Sequence, residues 1–474
     1  GSLTFQPCPN CWPYLDVVGT TLNTQGTVSQ TPNITTGSNP SAIRLGSGAI
    51  LNNTGAWTTN GLSVLSLTGG GSFNNLGTGT ITVASGGNVT NASINSVFNN
   101  TSTAANSVNV TSGTLTLGGG GTSTGAFNLG AGTGLGFSGG TNAMTGTVNG
   151  TGTLTFSGGT NILTPAATSI LSASALTVSG GTNTVTMPVA VAWTPTSVNI
   201  TNGSLDIGAT SISTPIWTQS GGTFSSTGGV TIPFGTGNLF TWNGGTISGP
   251  LTTGANTTVS TGNFQLGTGA VWNNSGIVTI TSGGWGYIGT NAIWNNTGTV
   301  DIGGNFGVNF NGTSGGQFNN QAGGTVTLSG TYGNPITGAG GLFTNAGTLT
   351  KTSTAAQTIN STSVNSGTIN VNAGTLGLSG ATSSGGIVVA TGAGLTFSGG
   401  TNSVTGIVNG TGTLTFSGGT NTVTPAATST LAPTVLNVTN GTNTVTMPVA
   451  GTAWAPATVS ITGGSLDVGS ANIT

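Results

Sequence analysis

The chain has 474 residues, of which 89 are Gly, two are basic (Arg44 and Lys351), four are acidic (Asp16, Asp206, Asp301 and Asp467) and none is His. Two cations cannot neutralise a row of phosphates, which excludes nucleic-acid binding as a function. No apolar run approaches the roughly 20 residues that a membrane-spanning helix needs, so no membrane insertion is expected.

Charged residues make up 1% of the chain. An ordinary globular protein has about 25%. Solubility must rest on Thr, Ser and Asn, and a surface with so little charge does not repel its own copies. Composition therefore points to an assembly subunit, or to a chain kept apart by attached glycans.

Residues 1–45 stand apart from the rest. They hold both cysteines, Cys8 and Cys11, in the run Cys8-Pro9-Asn10-Cys11-Trp12-Pro13. Such a pair can be half a zinc site, a redox pair or a small disulfide loop. No second pair and no His exists to complete a zinc site, and no βαβ pattern surrounds it. A structural disulfide is the expected reading, which fits an oxidising, extracellular setting. The segment is expected to cap the chain or to dock on a neighbour, because a solenoid end leaves strand edges that need cover. The Gly-Ser start is read as the mark of a removed secretion signal or of a tag.

Residues 46–474 are expected to form a β-solenoid. An aromatic or Leu followed by Asn-Asn recurs, with the second Asn at Asn53, Asn75 and Asn100 and again at Asn274, Asn296 and Asn320, and Phe343-Thr344-Asn345 continues the series with Asn345. Those spacings are 22 and 25, then 22, 24 and 25. Between the blocks the marker becomes Ser-Gly-Gly-Thr-Asn, at Ser138, Ser157 and Ser179, with later copies at Ser398 and Ser417. Self-similarity at this period is the sign of a solenoid. Gly, Thr, Ser and Asn are poor helix formers, whereas short Thr/Val/Leu/Ile/Phe runs with Gly or Asn corners suit the rungs of a β-helix. Roughly 20 such rungs would each advance about 4.8 Å.

The stretch Gly150–Thr164, GTGTLTFSGGTNILT, shows one rung's logic and returns at Gly410–Thr424 as GTGTLTFSGGTNTVT. Alternation puts Leu154 and Phe156, and their counterparts Leu414 and Phe416, on the inner face. Phe137 and Phe397 join this candidate core. The 260-residue echo aligns Phe137 with Phe397 and Pro165 with Pro425, then shifts to 261 for Trp193 and Trp454 and for Asp206 and Asp467. It defines a duplicated block, about 109–213 and 370–474. The second copy stops where the first continues past Ser213, which reads as an open end for the next molecule or as the limit of this sequence. The Asn corner positions are expected to stack into a ladder of side-chain amides bonded rung to rung.

Phe343-Thr344-Asn345-Ala346-Gly347-Thr348-Leu349-Thr350-Lys351 and Val364-Asn365-Ser366-Gly367-Thr368-Ile369-Asn370-Val371 resemble repeats of large secreted bacterial β-helical surface proteins. The G-T-G-T-L-T-F-S-G-G stretch is similar to autotransporter-associated β-strand repeats, the passenger type found in adhesins. The resemblance covers residues 50–474 and implies a right-handed parallel β-helix outside the cell, with rungs of about 19–25 residues. It brings no common catalytic set.

No catalytic, metal or cofactor residues are expected, and the chain is read as a non-enzyme. Its acids are too far apart along the stack for a carboxylate dyad, and Asp206 and Asp467 are read as turn caps. Trp272 and Trp294 replace Phe at an interior repeat position. Trp193 and Trp454, in Trp-x-Pro turns, are the candidates for exposed rings that stack on glycans. The triplets Thr114-Leu115-Thr116, Thr153-Leu154-Thr155 and Thr184-Val185-Thr186 raise a minor alternative, an ice-binding hydroxyl array, although Thr is also the commonest outward strand residue. Asn33, Asn88, Asn199, Asn256, Asn311, Asn360 and Asn437 begin glycosylation sequons, which a chain so rich in Asn and Thr makes by chance. The function expected is a structural subunit of an extracellular fibre, sheath or surface layer that polymerises with copies of itself by end-to-end strand stacking. The alternative is a cell-surface adhesin that binds glycans or neighbouring surfaces.

Overall fold

A computed structural model describes residues 3–5, 14–30, 42–59, 63–66, 70–84, 91–166, 171–188, 192–233, 235–254, 258–281, 283–310, 315–425, 431–447, 453–469 and 472–473. Every regular element among them is a β-strand, and the pairings are parallel, so the chain is an all-β parallel solenoid. Its contacts divide it into two units, Gly1–Val230 and Thr231–Thr474.

The local cause is visible in the strands themselves. Thr153–Phe156 and Thr413–Phe416 alternate half-buried Thr with buried Leu and Phe. Leu154, Phe156, Leu414, Phe416 and Phe397 are fully buried and Phe137 is 2% exposed. Four residues suffice for two inward side chains, after which a corner must turn the chain. At Gly159 the corner needs a positive φ of 74°, and a Cβ there would lie 2.4 Å from the carbonyl oxygen of Gly140 in the rung before. Gly419 repeats both features, with φ 76° and 2.3 Å to the oxygen of Gly400. Glycine is therefore required twice over at this corner, for backbone conformation and for the close approach of successive turns.

Within each unit three columns of strands run up the stack. One, the leucine column, contains Thr153–Phe156 between Gly134–Phe137 and Ala175–Val178. In the second unit it runs through Thr375–Ser379, Gly394–Gly399 and Thr413–Phe416. The asparagine column carries Ile50–Asn53, Ser72–Asn75 and Val97–Asn100 in one unit. In the other it carries Val271–Asn274, Ile293–Asn296 and Gln317–Asn320. A third column closes each turn, for example Ala56–Thr59, Thr80–Val83 and Val108–Val110. Its counterpart in the second unit includes Thr299–Ile302, Thr325–Leu328, Thr348–Lys351 and Thr368–Val371. The pairing is in register, so like falls on like: Phe73 on Phe98, Trp272 on Trp294, Phe318 on Phe343.

That register builds the core from continuous stacks. Trp272 and Trp294 lie 4.3 Å apart at 8°, and Trp294 and Phe318 lie 4.4 Å apart at 21°. Each such pair adds about 0.5–1.5 kcal/mol beyond the burial of its area.

The described part of residues 1–45 shares this architecture. Tyr14–Val17 pairs with Ala42–Leu45, Thr21–Thr24 with Ile50–Asn53, and Thr27–Gln30 with Ala56–Thr59. Solenoid pairing thus reaches back to Leu3–Phe5, which pairs with Val28–Gln30.

Candidate functional site

The feature with the most specific chemistry is the asparagine column. Its second-Asn positions form a continuous buried amide chain. In the first unit the Asn53 Nδ2 donates to Asn75 Oδ1 at 2.9 Å, and Asn75 Nδ2 to Asn100 Oδ1 at 3.0 Å. In the second unit Asn274 donates to Asn296 (2.8 Å), Asn296 to Asn320 (2.9 Å) and Asn320 to Asn345 (2.7 Å). Asn345 then donates to Asn365 at 2.7 Å, extending the expected set by one residue.

Both chains end in hydroxyls. Thr24 Oγ1 donates into Asn53 Oδ1 at 3.0 Å, and Ser107 Oγ accepts from Asn100 at 3.1 Å. Thr253 Oγ1 donates into Asn274 at 2.6 Å, and Ser383 Oγ accepts from Asn365 at 2.9 Å. A hydroxyl can act as donor or acceptor, so it terminates the chain without leaving a buried amide atom unpaired.

The amide orientation is fixed by the backbone. Asn53 Nδ2 also reaches the Gly55 carbonyl (3.2 Å), Asn75 Nδ2 that of Gly79 (3.1 Å), and Asn320 Nδ2 that of Gly324 (3.2 Å). A flipped amide would set its oxygen against those carbonyls.

Two further ladders are missing from the sequence reading. The first Asn of each Asn-Asn pair lies on the outer face and donates in the opposite direction: Asn52 to Asn23 (2.9 Å), Asn74 to Asn52 (2.9 Å) and Asn99 to Asn74 (2.8 Å). Asn295 to Asn273 and Asn319 to Asn295 repeat this at 2.9 and 3.1 Å. Aligned amide dipoles add within a ladder, and the neighbouring ladder runs against them. The Asn of each Ser-Gly-Gly-Thr-Asn marker makes another buried ladder, Asn142 to Asn161 to Asn183 at 2.8 and 2.6 Å. Asn402 to Asn421 to Asn443 repeats it at 2.7 and 2.5 Å. The recurring Thr-Asn dipeptide was the available signal for it.

The acids are dispersed. Asp206 and Asp467 each accept the backbone N–H two residues on, from Gly208 and Gly469, at 2.9 Å. Both are turn caps. Asp16 pairs with Arg44 at 2.5 Å, with the guanidinium 3.7 Å over the Tyr14 ring. Asp301 Oδ1 accepts from Ser329 Oγ at 2.5 Å. Among the described residues no group of three or more His, Cys, Asp or Glu side chains gathers where it could hold a metal ion, and no helix is long and apolar enough to cross a membrane. Cys8 and Cys11 lie outside the described residues, as do the sequon residues Asn33, Asn88, Asn256 and Asn311. Asn199 and Asn437 are half-buried, and Asn360 is exposed.

Two expectations are corrected. Trp193 and Trp454 are each only 2% exposed, and Trp454 Nε1 donates to the Pro433 carbonyl at 3.1 Å. The Trp-x-Pro turn directs the ring inward. The Thr triplets do not make an unbroken hydroxyl array either. In register, Thr114 is followed by Gly134, Thr153 and Ala175, and Thr116 by Gly136 and Thr155.

Comparison with protein-family models, curated proteins and solved structures finds no match to this chain.

Proposed function

We propose that the chain is a non-enzymatic structural subunit of an extracellular fibre, sheath or surface layer, and that it polymerises by stacking rungs end to end. One observation carries this reading. Every strand pairing among the described residues is parallel, and the rungs are joined by backbone ladders, stacked apolar side chains and buried amide chains such as Asn274–Asn296–Asn320–Asn345, contacts that need no charge and that rungs of different copies can make with one another.

The near-absence of charge supports the same reading, because copies approach without repulsion. The buried ladders support it as well. They lock each rung to the next and add nothing that a soluble enzyme would need. Secretion and a surface location belong to this proposal, resting on the resemblance of the repeats to secreted β-helical proteins.

Electron microscopy and sedimentation velocity of the purified chain over a concentration series provide the test. Filaments or stacked oligomers that grow with concentration are expected. A single monodisperse species at the highest concentration reached would sink the proposal.

A further inference from the structure

The seven tryptophans placed in the core (Trp57, Trp193, Trp217, Trp242, Trp272, Trp294 and Trp454) are each at most 2% exposed. Trp285 is different: it is half-buried, at a corner between the third and leucine columns of the second unit. Two half-buried rings from the following turns meet it there. Phe306 lies 5.4 Å from Trp285, Tyr332 lies 5.1 Å from it at 86°, and Phe306 and Tyr332 are 5.9 Å apart at 34°. A fourth ring, Tyr287, is 6.4 Å from Trp285 on the outer face of the leucine column.

Side chains on successive rungs should keep a spacing of about 4.8 Å, so rings two rungs apart would sit near 10 Å. Trp285 and Tyr332 are at half that distance. The three corners fold their rings into one cluster, with Phe306 and Tyr332 making a wall and Trp285 set across its end. Nothing in the solenoid requires this, since the inward positions of these turns are already filled by Ile288, Val308 and Ile336, all fully buried.

The rim is polar and almost uncharged. Thr331 Oγ1 donates to Asn305 Oδ1 at 3.0 Å, which places a hydroxyl and an amide beside Phe306 and Tyr332. Ser329, three residues before Tyr332, is held by Asp301. Gln265 and Asn309 flank Tyr287 in register. The second unit's cation, Lys351, is buried in the core and offers nothing to an anion.

We infer that this corner is a binding subsite for a neutral saccharide. A pyranose presents an apolar face to an aromatic ring and hydroxyls around its edge, and this surface supplies rings at two inclinations within a border of amides and hydroxyls. Phosphorylated or sulfated ligands find no cation here. A purely apolar partner would leave the border unpaired. The site does not depend on the polymer reading.

The test titrates the full chain with cellohexaose, xylohexaose, mannohexaose and chitohexaose, reading acrylamide quenching of tryptophan and calorimetric heat. At least one saccharide is expected to protect the half-buried indole. Trp285→Ala and Tyr332→Ala should each weaken that binding at least about tenfold, the loss typical of truncating an aromatic anchor. Trp285→Phe keeps a ring, so it should bind at intermediate strength while abolishing the quenching signal, and it guards against a misfolded alanine variant. Absence of binding by all four at millimolar concentration overturns the inference. So does binding that survives Trp285→Ala in a chain with an unchanged melting curve. Concentration-dependent association lost in Trp285→Ala, with no saccharide bound, would also overturn it and give the corner to a second copy of the chain.

Discussion

At the scale of single residues, the buried amides and the one buried cation set the energetics. Asn320 has no exposed surface, accepts from Asn296, and holds Asn345 Oδ1 and the carbonyls of Gly324 and Thr348 with its Nδ2. Asn320→Leu takes from Asn345 Oδ1 the amide that donates to it, while Asn296 Nδ2 keeps the carbonyl of Gly298 and the Gly324 carbonyl keeps the Thr348 N–H. A loss of about 1–3 kcal/mol in urea unfolding is expected, the cost of one buried polar group left unpaired. Asn319→Ala, in the half-buried outer ladder, should cost less than about 1 kcal/mol. Equal losses for the two would show that the inner ladder contributes no more than the outer one. Lys351 is the second case. It points into the core between Leu328 and Val371, and its Nζ donates to the carbonyls of Ser353 and Ala373. Burial lowers its pKa below the ordinary value of 10.5. Between its native pKa and 10.5 the unfolded chain binds the extra proton, so stability must rise with pH across that window and level off above it. Unfolding midpoints measured from pH 8 to 11 should rise in the wild type. Lys351→Met should flatten that rise; an unchanged slope would place the titration elsewhere.

At the scale of the element, the unit is one short strand and its glycine corner. Gly159→Ala puts a Cβ at positive φ and against the Gly140 carbonyl, so a loss of about 1–3 kcal/mol is expected. Gly132, also at positive φ (72°), has open space where its Cβ would go. Gly132→Ala therefore meets the conformational cost alone, about 1 kcal/mol, and comparing the two melting curves separates strain from clash. Strands and corners of this kind were legible in the sequence, because a four-residue strand with two inward apolar side chains repeats without ambiguity. The Asn53, Asn75 and Asn100 spacing also gave the register, since identical residues stack when every strand is parallel and in step. The outer Asn ladder was less accessible: in Asn52-Asn53 the two amides look alike, and only the strand's alternation sends one inward. Trp193 and Trp454 misled because the following proline suggests a surface turn while the ring itself remains in the core. The Trp285 corner was hidden for another reason. Its aromatic-Gly dipeptides, Trp285-Gly286, Phe306-Gly307 and Tyr332-Gly333, recur at 21 and 26 residues (306 − 285 and 332 − 306) in turns of unequal length, outside the strand alternation.

At the scale of the whole molecule, what is absent from the composition matters as much as what is present. With six charged side chains in 474 residues, and one surface pair (Asp16–Arg44) only partly shielded from water, little of the fold's stability is electrostatic. Rungs are held by stacked apolar side chains, backbone ladders and amide ladders, none of which salt screens strongly. The same forces act between copies in the assembly proposed, so filament yield in electron microscopy, with sedimentation for the soluble fraction, should be the same at low and at high sodium chloride. A yield that falls steeply as salt rises would place ion pairs at the joint and sink the stacking of neutral rungs as the mode of association.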